Sequence, residues 1–276
     1  MLDSEKPTVR MEVCSVAAVR RVAAMLDLPA DPVIGAGTLP RGWHFFMLGA
    51  DTRRSELRAD GFPGLGVVMP ELGLPRLLLG GRAVTYRGEI PIGASVTRTS
   101  AVKSIERKTS AAGPMAVATI THSLQVEHAT DPSVVETQTY LLFPSSSAPV
   151  AERPAQPYAI AENERTKTFV PDETLLFQYS ALGFNSHRIH IDRSYARQVE
   201  GYPDLVVNGG LSTLLLTEFA RTAISRAPSA VRVRHLKPLF CRYPITLVAS
   251  LDGSRCVLKA LNEKNAVAID MEMDLA

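Results

Sequence analysis

The sequence holds only three cysteines, Cys14, Cys241 and Cys256, and no two of them stand at a paired spacing. That argues against a disulfide framework or a cysteine-ligated zinc site and points to a reducing compartment. No uninterrupted apolar run approaches the roughly 18 residues of a bilayer-spanning helix, so no membrane span is expected. The opening MLDSEKPTVRMEV carries acids where a secretory leader would have a basic and then an apolar stretch, which leads to the expectation of a cytoplasmic protein. Charge of one sign is also in short supply. The 30 basic and 28 acidic residues leave a formal net charge of +2 and lie interspersed. This disfavours a nucleic-acid arm or a polybasic membrane anchor, while a small anionic ligand remains compatible.

What is present is core-building material: 46% of the 276 residues are hydrophobic, enough for one large domain or two ordinary ones. The clearest seam is PSSSAPVAERPAQPYAIAENER, where Pro, Ser and Ala replace apolar alternation. It predicts a linker over 144–165 between an N-terminal unit, 1–143, and a C-terminal unit, 166–276. In the first unit, MEVCSVAAVRRVAAMLDLP reads as a helix ending before Pro29. RAVTYRGEI, SVTRTSAVKSIERK, PMAVATITHSLQVEH and VVETQTYLLF follow with near period-two alternation and predict an antiparallel sheet. AVRVRHLKPLFCRY, ITLVASLDG, SRCVLKALNEK and NAVAIDMEMDLA repeat that pattern in the second unit. They come after NGGLSTLLLTEFARTAISRAPS, a helix that the first unit lacks, with Leu211, Leu214, Leu215, Phe219 and Ala223 on one stripe. Similar sheet-building units in both halves suggest a duplicated domain.

One stretch gathers most of the titratable polar groups. YSALGFNSHRIHID places Asn185, His187, Arg188, His190 and Asp192 within eight positions, in a chain with six histidines. Asp192 reads as the N-cap of a short helix that ends before Gly201. His187 and His190 are compatible with zinc ligation, but no third ligand stands at motif spacing, so no metal is expected. As a lone histidine, His190 is either a structural donor or a proton carrier. A histidine near a helix that starts at Gly209-Gly210 supplies a base beside free N–H groups, the minimum for proton chemistry next to a carbonyl.

The order RIH, short helix, VEGYPDLVVNGGL and long helix resembles the MaoC-like hydratase and dehydratase family of hotdog proteins. It is most similar to the branch of hydroxyacyl-thioester dehydratase type two, mesaconyl-C4-CoA hydratase and itaconyl-CoA hydratase. DGFPGLGVVMPELGLPRLLLGGRAVTYRGEI in the first unit supports the same resemblance. The resemblance implies an α+β double hotdog of two antiparallel sheets, with a central helix kept in the C-terminal half and a short apolar strand before the polar loop. It implies a hydro-lyase without cofactor acting on an acyl-CoA thioester. Carried over residue by residue, His190 falls on the catalytic histidine, Asn185 on the position held by aspartate in R-specific hydratases, and Gly209 on the glycine whose N–H binds the thioester oxygen. His187, Arg188, Asn208 and Gly210 are the accompanying substrate-binding candidates, with Arg188 as the grip for an acyl carboxylate. An asparagine orients water but cannot serve as a base, so His190 is left with the acid–base work. Arg76, Arg82, Arg87 and Arg188 are candidates for the CoA phosphates. The leading substrate class is a short branched dicarboxylyl-CoA such as itaconyl- or mesaconyl-CoA. The alternatives are an R-specific 3-hydroxyacyl-thioester dehydratase of fatty-acid synthesis, a non-catalytic acyl-CoA-binding hotdog protein, and a thioesterase. Pairing of chains into a homo-oligomer is left open by the sequence.

Overall fold

The computed structural model describes residues 6–110, 113–144 and 156–276. In chain order the first half contains β1 (Thr8–Val13), α1 (Val16–Met25), α2 (Ala30–Gly35), β2 (Arg76–Tyr86), β3 (Ser95–Ser110), β4 (Gly113–Val126) and β5 (Val134–Phe143). The second half contains β6 (Arg165–Phe169), α3 (Glu173–Leu182), α4 (Arg193–Gln198), α5 (Gly209–Ile224), β7 (Pro228–His235), β8 (Ile245–Asp252), β9 (Arg255–Leu261) and β10 (Val267–Leu275). Half of the expected linker, residues 145–155, lies outside the described residues.

All ten strands form one sheet in the order β1-β3-β4-β5-β2-β7-β10-β9-β8-β6. Read outward from the centre, β2-β5-β4-β3-β1 and β7-β10-β9-β8-β6 are the same topology, so the duplication expected from the strand pattern is visible as a pseudo-twofold. The two expected sheets are joined edge to edge: β2 pairs antiparallel with β7, with Gly81 opposite Arg234 and Arg82 opposite Val233. At Gly81 a Cβ would stand 2.8 Å from the Val233 carbonyl oxygen, so a glycine is what permits this close approach.

The core lies on the concave face beneath α5, which buries Leu211, Leu214, Leu216 and Phe219 while β8 and β9 supply Leu247, Ala249, Leu258 and Ala260. Burying each large side chain contributes on the order of 1.5–3 kcal/mol. The equivalent place in the first half, directly before β2, holds no helix: among the described residues, 57–75 carry no regular element. The expectation of an unmatched helix in the second half therefore holds.

Three local readings need correction. The long N-terminal helix begins only at Val16, because the Ser15 side chain caps the Ala18 N–H, and Met11, Glu12 and Val13 belong to β1. β1 and β6 are edge strands of six and five residues: β1, TVRMEV, does alternate but runs into the expected helix, and β6 is almost wholly exposed. The apolar run Leu175-Leu176-Phe177, expected as a strand, lies inside α3. Asp172 caps this helix through the Leu175 N–H at 2.8 Å, and Leu176, Tyr179 and Ser180 are buried at helical spacing.

Candidate active site

The chain leaves α3 through Gly183 and Phe184, the latter at φ +47°, into the loop that carries Asn185 to His187. This loop is fixed from both halves. The Asn185 N–H donates to the Ser180 carbonyl at 2.8 Å, the Ser186 hydroxyl donates to the Gly61 carbonyl at 2.7 Å, and the Arg188 N–H donates to the Asp60 carbonyl at 2.8 Å. Gly61 adopts φ +74°, and a Cβ there would stand 2.5 Å from the Ser186 carbonyl oxygen, so the first-half loop can dock only as glycine.

His190 closes a 3₁₀ turn, Arg188–His190, and is buried. Its Nδ1 meets the Val206 carbonyl oxygen at 2.7 Å. A carbonyl only accepts, so Nδ1 bears the proton and Nε2 keeps a lone pair on the cavity side. Burial, and then the neighbouring His187, push His190 down to about 3, so the ring is neutral at physiological pH. His187 packs edge to face on His190 at 5.5 Å and on Phe62 at 5.4 Å, with Nε2 3.7 Å from an Asp60 carboxylate oxygen. Burial lowers its pKa as well. Asn185 Oδ1 accepts from the His187 N–H at 3.0 Å. Because a backbone N–H must find an oxygen, the NH₂ group of Asn185 is the end left to donate.

Opposite stands the start of α5. Among the described residues, the first N–H of this helix with a backbone acceptor is that of Ser212, to Asn208 at 3.0 Å, and no side chain caps the terminus. The N–H groups of Gly209 and Gly210 are therefore available at the positive end of a sixteen-residue helix. Asn208 Nδ2 donates to Ser180 Oγ at 3.3 Å, which ties α5 to α3, while its Oδ1 is buried without a partner.

Asn185, His187, His190, Asn208, Gly209 and Gly210 all line one cavity of about 930 Å³, to which both halves contribute. Arg188 does not line it. Its guanidinium is held by Asp192 at 2.8 Å and stacked on the Tyr195 ring at 4.2 Å, so the arginine expected to grip substrate braces the α4 cap instead. Asp192 is the expected N-cap, accepting from the Tyr195 N–H at 3.0 Å. Of the arginines expected at the CoA phosphates, Arg87 is exposed and absent from the cavity lining. Arg82 is buried against Glu136, and Arg76 lines the cavity while paired with Glu200 at 3.0 Å. Lys237 and Lys264 also line the cavity, as does His235; sequence reasoning missed all three. His235 Nε2 is buried without a partner, and burial pushes the ring down to about 3. No motif marks these residues, because turns at the far ends of β7 and β9 bring them to the site.

A neutral base and uncapped helix N–H groups lining one cavity, on a duplicated hotdog sheet, define a hydro-lyase of the MaoC-like double-hotdog class. Solved structures share the fold. A MaoC-like dehydratase from Phytophthora capsici superposes with a TM-score of 0.71 at 15% identity, over 100% of this chain and 97% of the other. A Mycobacterium tuberculosis protein described as a double hotdog superposes with a TM-score of 0.60 at 14% identity, over 99% and 96%. The chain belongs to the hydroxyacyl-thioester dehydratase type 2 family, whose profile matches residues 42–241. It is 33% identical over 267 residues to the mesaconyl-C(4)-CoA hydratase of Chloroflexus aurantiacus, covering 97% of this chain and 94% of that relative. It is also 33% identical over 109 residues to the mitochondrial hydroxyacyl-thioester dehydratase type 2 of Schizosaccharomyces pombe, 36% of each chain.

Proposed function

We propose that the protein catalyses reversible hydration of an enoyl-CoA thioester whose short, branched acyl group carries a free carboxylate, as in mesaconyl- or itaconyl-CoA. The observation that carries the reaction is the tautomer of His190, fixed by the Val206 carbonyl so that Nε2 is an unprotonated base in the cavity. In the hydration direction, water held by the Asn185 amide gives a proton to Nε2 and its oxygen bonds to the β-carbon. The C=C electron pair moves toward the carbonyl, and the enolate oxygen is stabilised by the Gly209 N–H and the α5 dipole. The α-carbon then takes the proton back from His190, so water has added across the double bond and the enzyme is unchanged. Dehydration reverses each step. Lys237, Lys264 and Arg76 supply positive charge on the cavity wall for the CoA phosphates. The mesaconyl-C(4)-CoA hydratase relative, which spans nearly the whole chain, supports the dicarboxylyl acyl group.

His190→Ala is expected to lower kcat for hydration by roughly 10²–10⁴-fold at temperatures where the variant stays folded. Because the ring is held well below 6.5, the acid limb of kcat/KM is expected far below that value. Loss of the enoyl-thioester chromophore measures both. Unchanged turnover in His190→Ala would overturn the reading, and release of free thiol in the same cuvette would indicate thioester hydrolysis instead. A second reading, dehydration of straight-chain 3-hydroxyacyl thioesters, is favoured by the Schizosaccharomyces pombe relative, a hydroxyacyl-thioester dehydratase. A chain-length series with higher kcat/KM on medium straight chains than on mesaconyl-CoA would select it.

A further inference from the structure

The space left by the missing first-half helix has a polar floor. Arg82 on β2 donates from Nε and Nη2 to Glu136 Oε1 on β5, at 2.8 and 2.5 Å. Gln138 Nε2 donates to the same oxygen at 2.5 Å, the Tyr140 hydroxyl donates to Gln138 Oε1, and His44 Nε2 meets Glu136 Oε2 at 2.7 Å. The Glu136 side chain is 1% exposed and that of Arg82 is 8%. Burying such an ion pair is costly, and a wall meant only to enclose an alkyl chain gains nothing from it. Arg82, Gln138, Tyr140 and Tyr179 all line the same cavity as His190.

The network orients Arg82 without exhausting it. Glu136 takes Nε and Nη2, and the Tyr179 hydroxyl accepts a hydrogen bond from the same guanidinium, whose Nη1 is 3.4 Å from where a Cβ on Gly210 would stand. The Tyr179 hydroxyl is closer still to that point, and its ring is fixed by stacking on Phe45 at 4.6 Å. A desolvated guanidinium N–H, a phenol O–H and the open N-terminus of α5 thus converge where the acyl group must pass. A carboxylate fits this trio by its donor count and by the fixed direction of the guanidinium.

We propose that Arg82, oriented by Glu136 and flanked by the Tyr179 hydroxyl, is the subsite for a free carboxylate on the acyl group and sets the specificity of the enzyme. The proposal rests on the hydratase reading and deepens it. The test compares mesaconyl-C4-CoA with β-methylcrotonyl-CoA, in which a methyl group replaces the carboxylate. The wild type is expected to prefer the carboxylate ester in kcat/KM by about 10²-fold or more. Arg82→Gln combined with Glu136→Gln keeps a hydrogen-bonded neutral pair in the floor and is expected to collapse that ratio about 10²-fold. Tyr179→Phe, which removes one hydroxyl and no charge, is expected to reduce the ratio several-fold. The Tyr179→Phe result decides the matter if the paired variant does not fold.

If the wild type hydrates both esters with no preference, or if the variants lower both by the same factor, Arg82 is not a carboxylate subsite. An equal loss on both esters instead assigns Arg82 to the enolate oxygen. Hydration of neither ester by the wild type refutes the hydratase reading itself, an outcome distinct from failure of the subsite.

Discussion

At Gly210 a side chain has no room, because its first carbon would overlap the Tyr179 hydroxyl and touch the phenol carbon beneath it at 3.1 Å. Overpacking of this kind costs about 1–3 kcal/mol. Gly210→Ala is therefore expected to lose stability on that scale in denaturant unfolding, with activity falling as Tyr179 shifts. Adding Tyr179→Phe removes the overlapping oxygen and is expected to restore part of the stability; strictly additive losses would show that the two residues do not collide. The residues proposed to act on the reacting atoms were legible in the sequence because Asn185, His190 and Gly209 lie within 25 consecutive positions. Arg82, Glu136 and Tyr179 were not. They are far apart in the chain; β2 and β5 pair to bring Arg82 and Glu136 together, and Tyr179 of α3 lines the same cavity as Arg82. Arg188 shows the reverse error: closeness in sequence to the catalytic loop suggested a ligand grip, yet a carboxylate four residues away and the Tyr195 ring hold it.

Among the elements, α5 has two duties that separate along its length. Its first turn faces the cavity with open N–H groups, and its middle anchors the core through Leu214, Leu216 and Phe219. It also reaches into the first half, where the Trp43 indole N–H donates to Glu218 Oε1 at 2.6 Å. Leu214→Ala, in the anchoring part, is expected to cost about 2–5 kcal/mol in global unfolding while kcat changes little at temperatures where the protein stays folded. A large fall in kcat at full foldedness would mean that the two duties are coupled. The eight longer strands were legible because each has one buried face; β4, for example, turns Ala116, Ala118, Ile120 and Leu124 inward. α3 was misread because three consecutive apolar residues carry no period of their own, and the signal that decides is the Asp172 cap.

For the molecule as a whole, the concave face encloses several histidines. Burial lowers the pKa of His122 to about 4 and of His190 and His235 to about 3, and it also lowers that of His187. A histidine neutral in the folded state but titrating near 6.5 when unfolded leaves the unfolded chain with more bound protons below that pH. The stability this provides is complete above about pH 6.5 and is lost as the pH falls toward the folded-state values. The slope is roughly 1.4 kcal/mol per pH unit for each histidine so affected. Unfolding midpoints are expected to drop clearly between about pH 7 and pH 5 at fixed ionic strength; a flat profile would contradict this.

The β2–β7 seam has a consequence for how the cavity comes into being. Its two walls belong to one polypeptide, so they never have to find each other by diffusion, and mass action has no hold on that pairing. Where two separate hotdog subunits must associate across such a seam, dilution can part them and empty the site of one wall. Here the loop from Asn185 to His190 and the polar floor stay matched at any concentration at which the chain is folded.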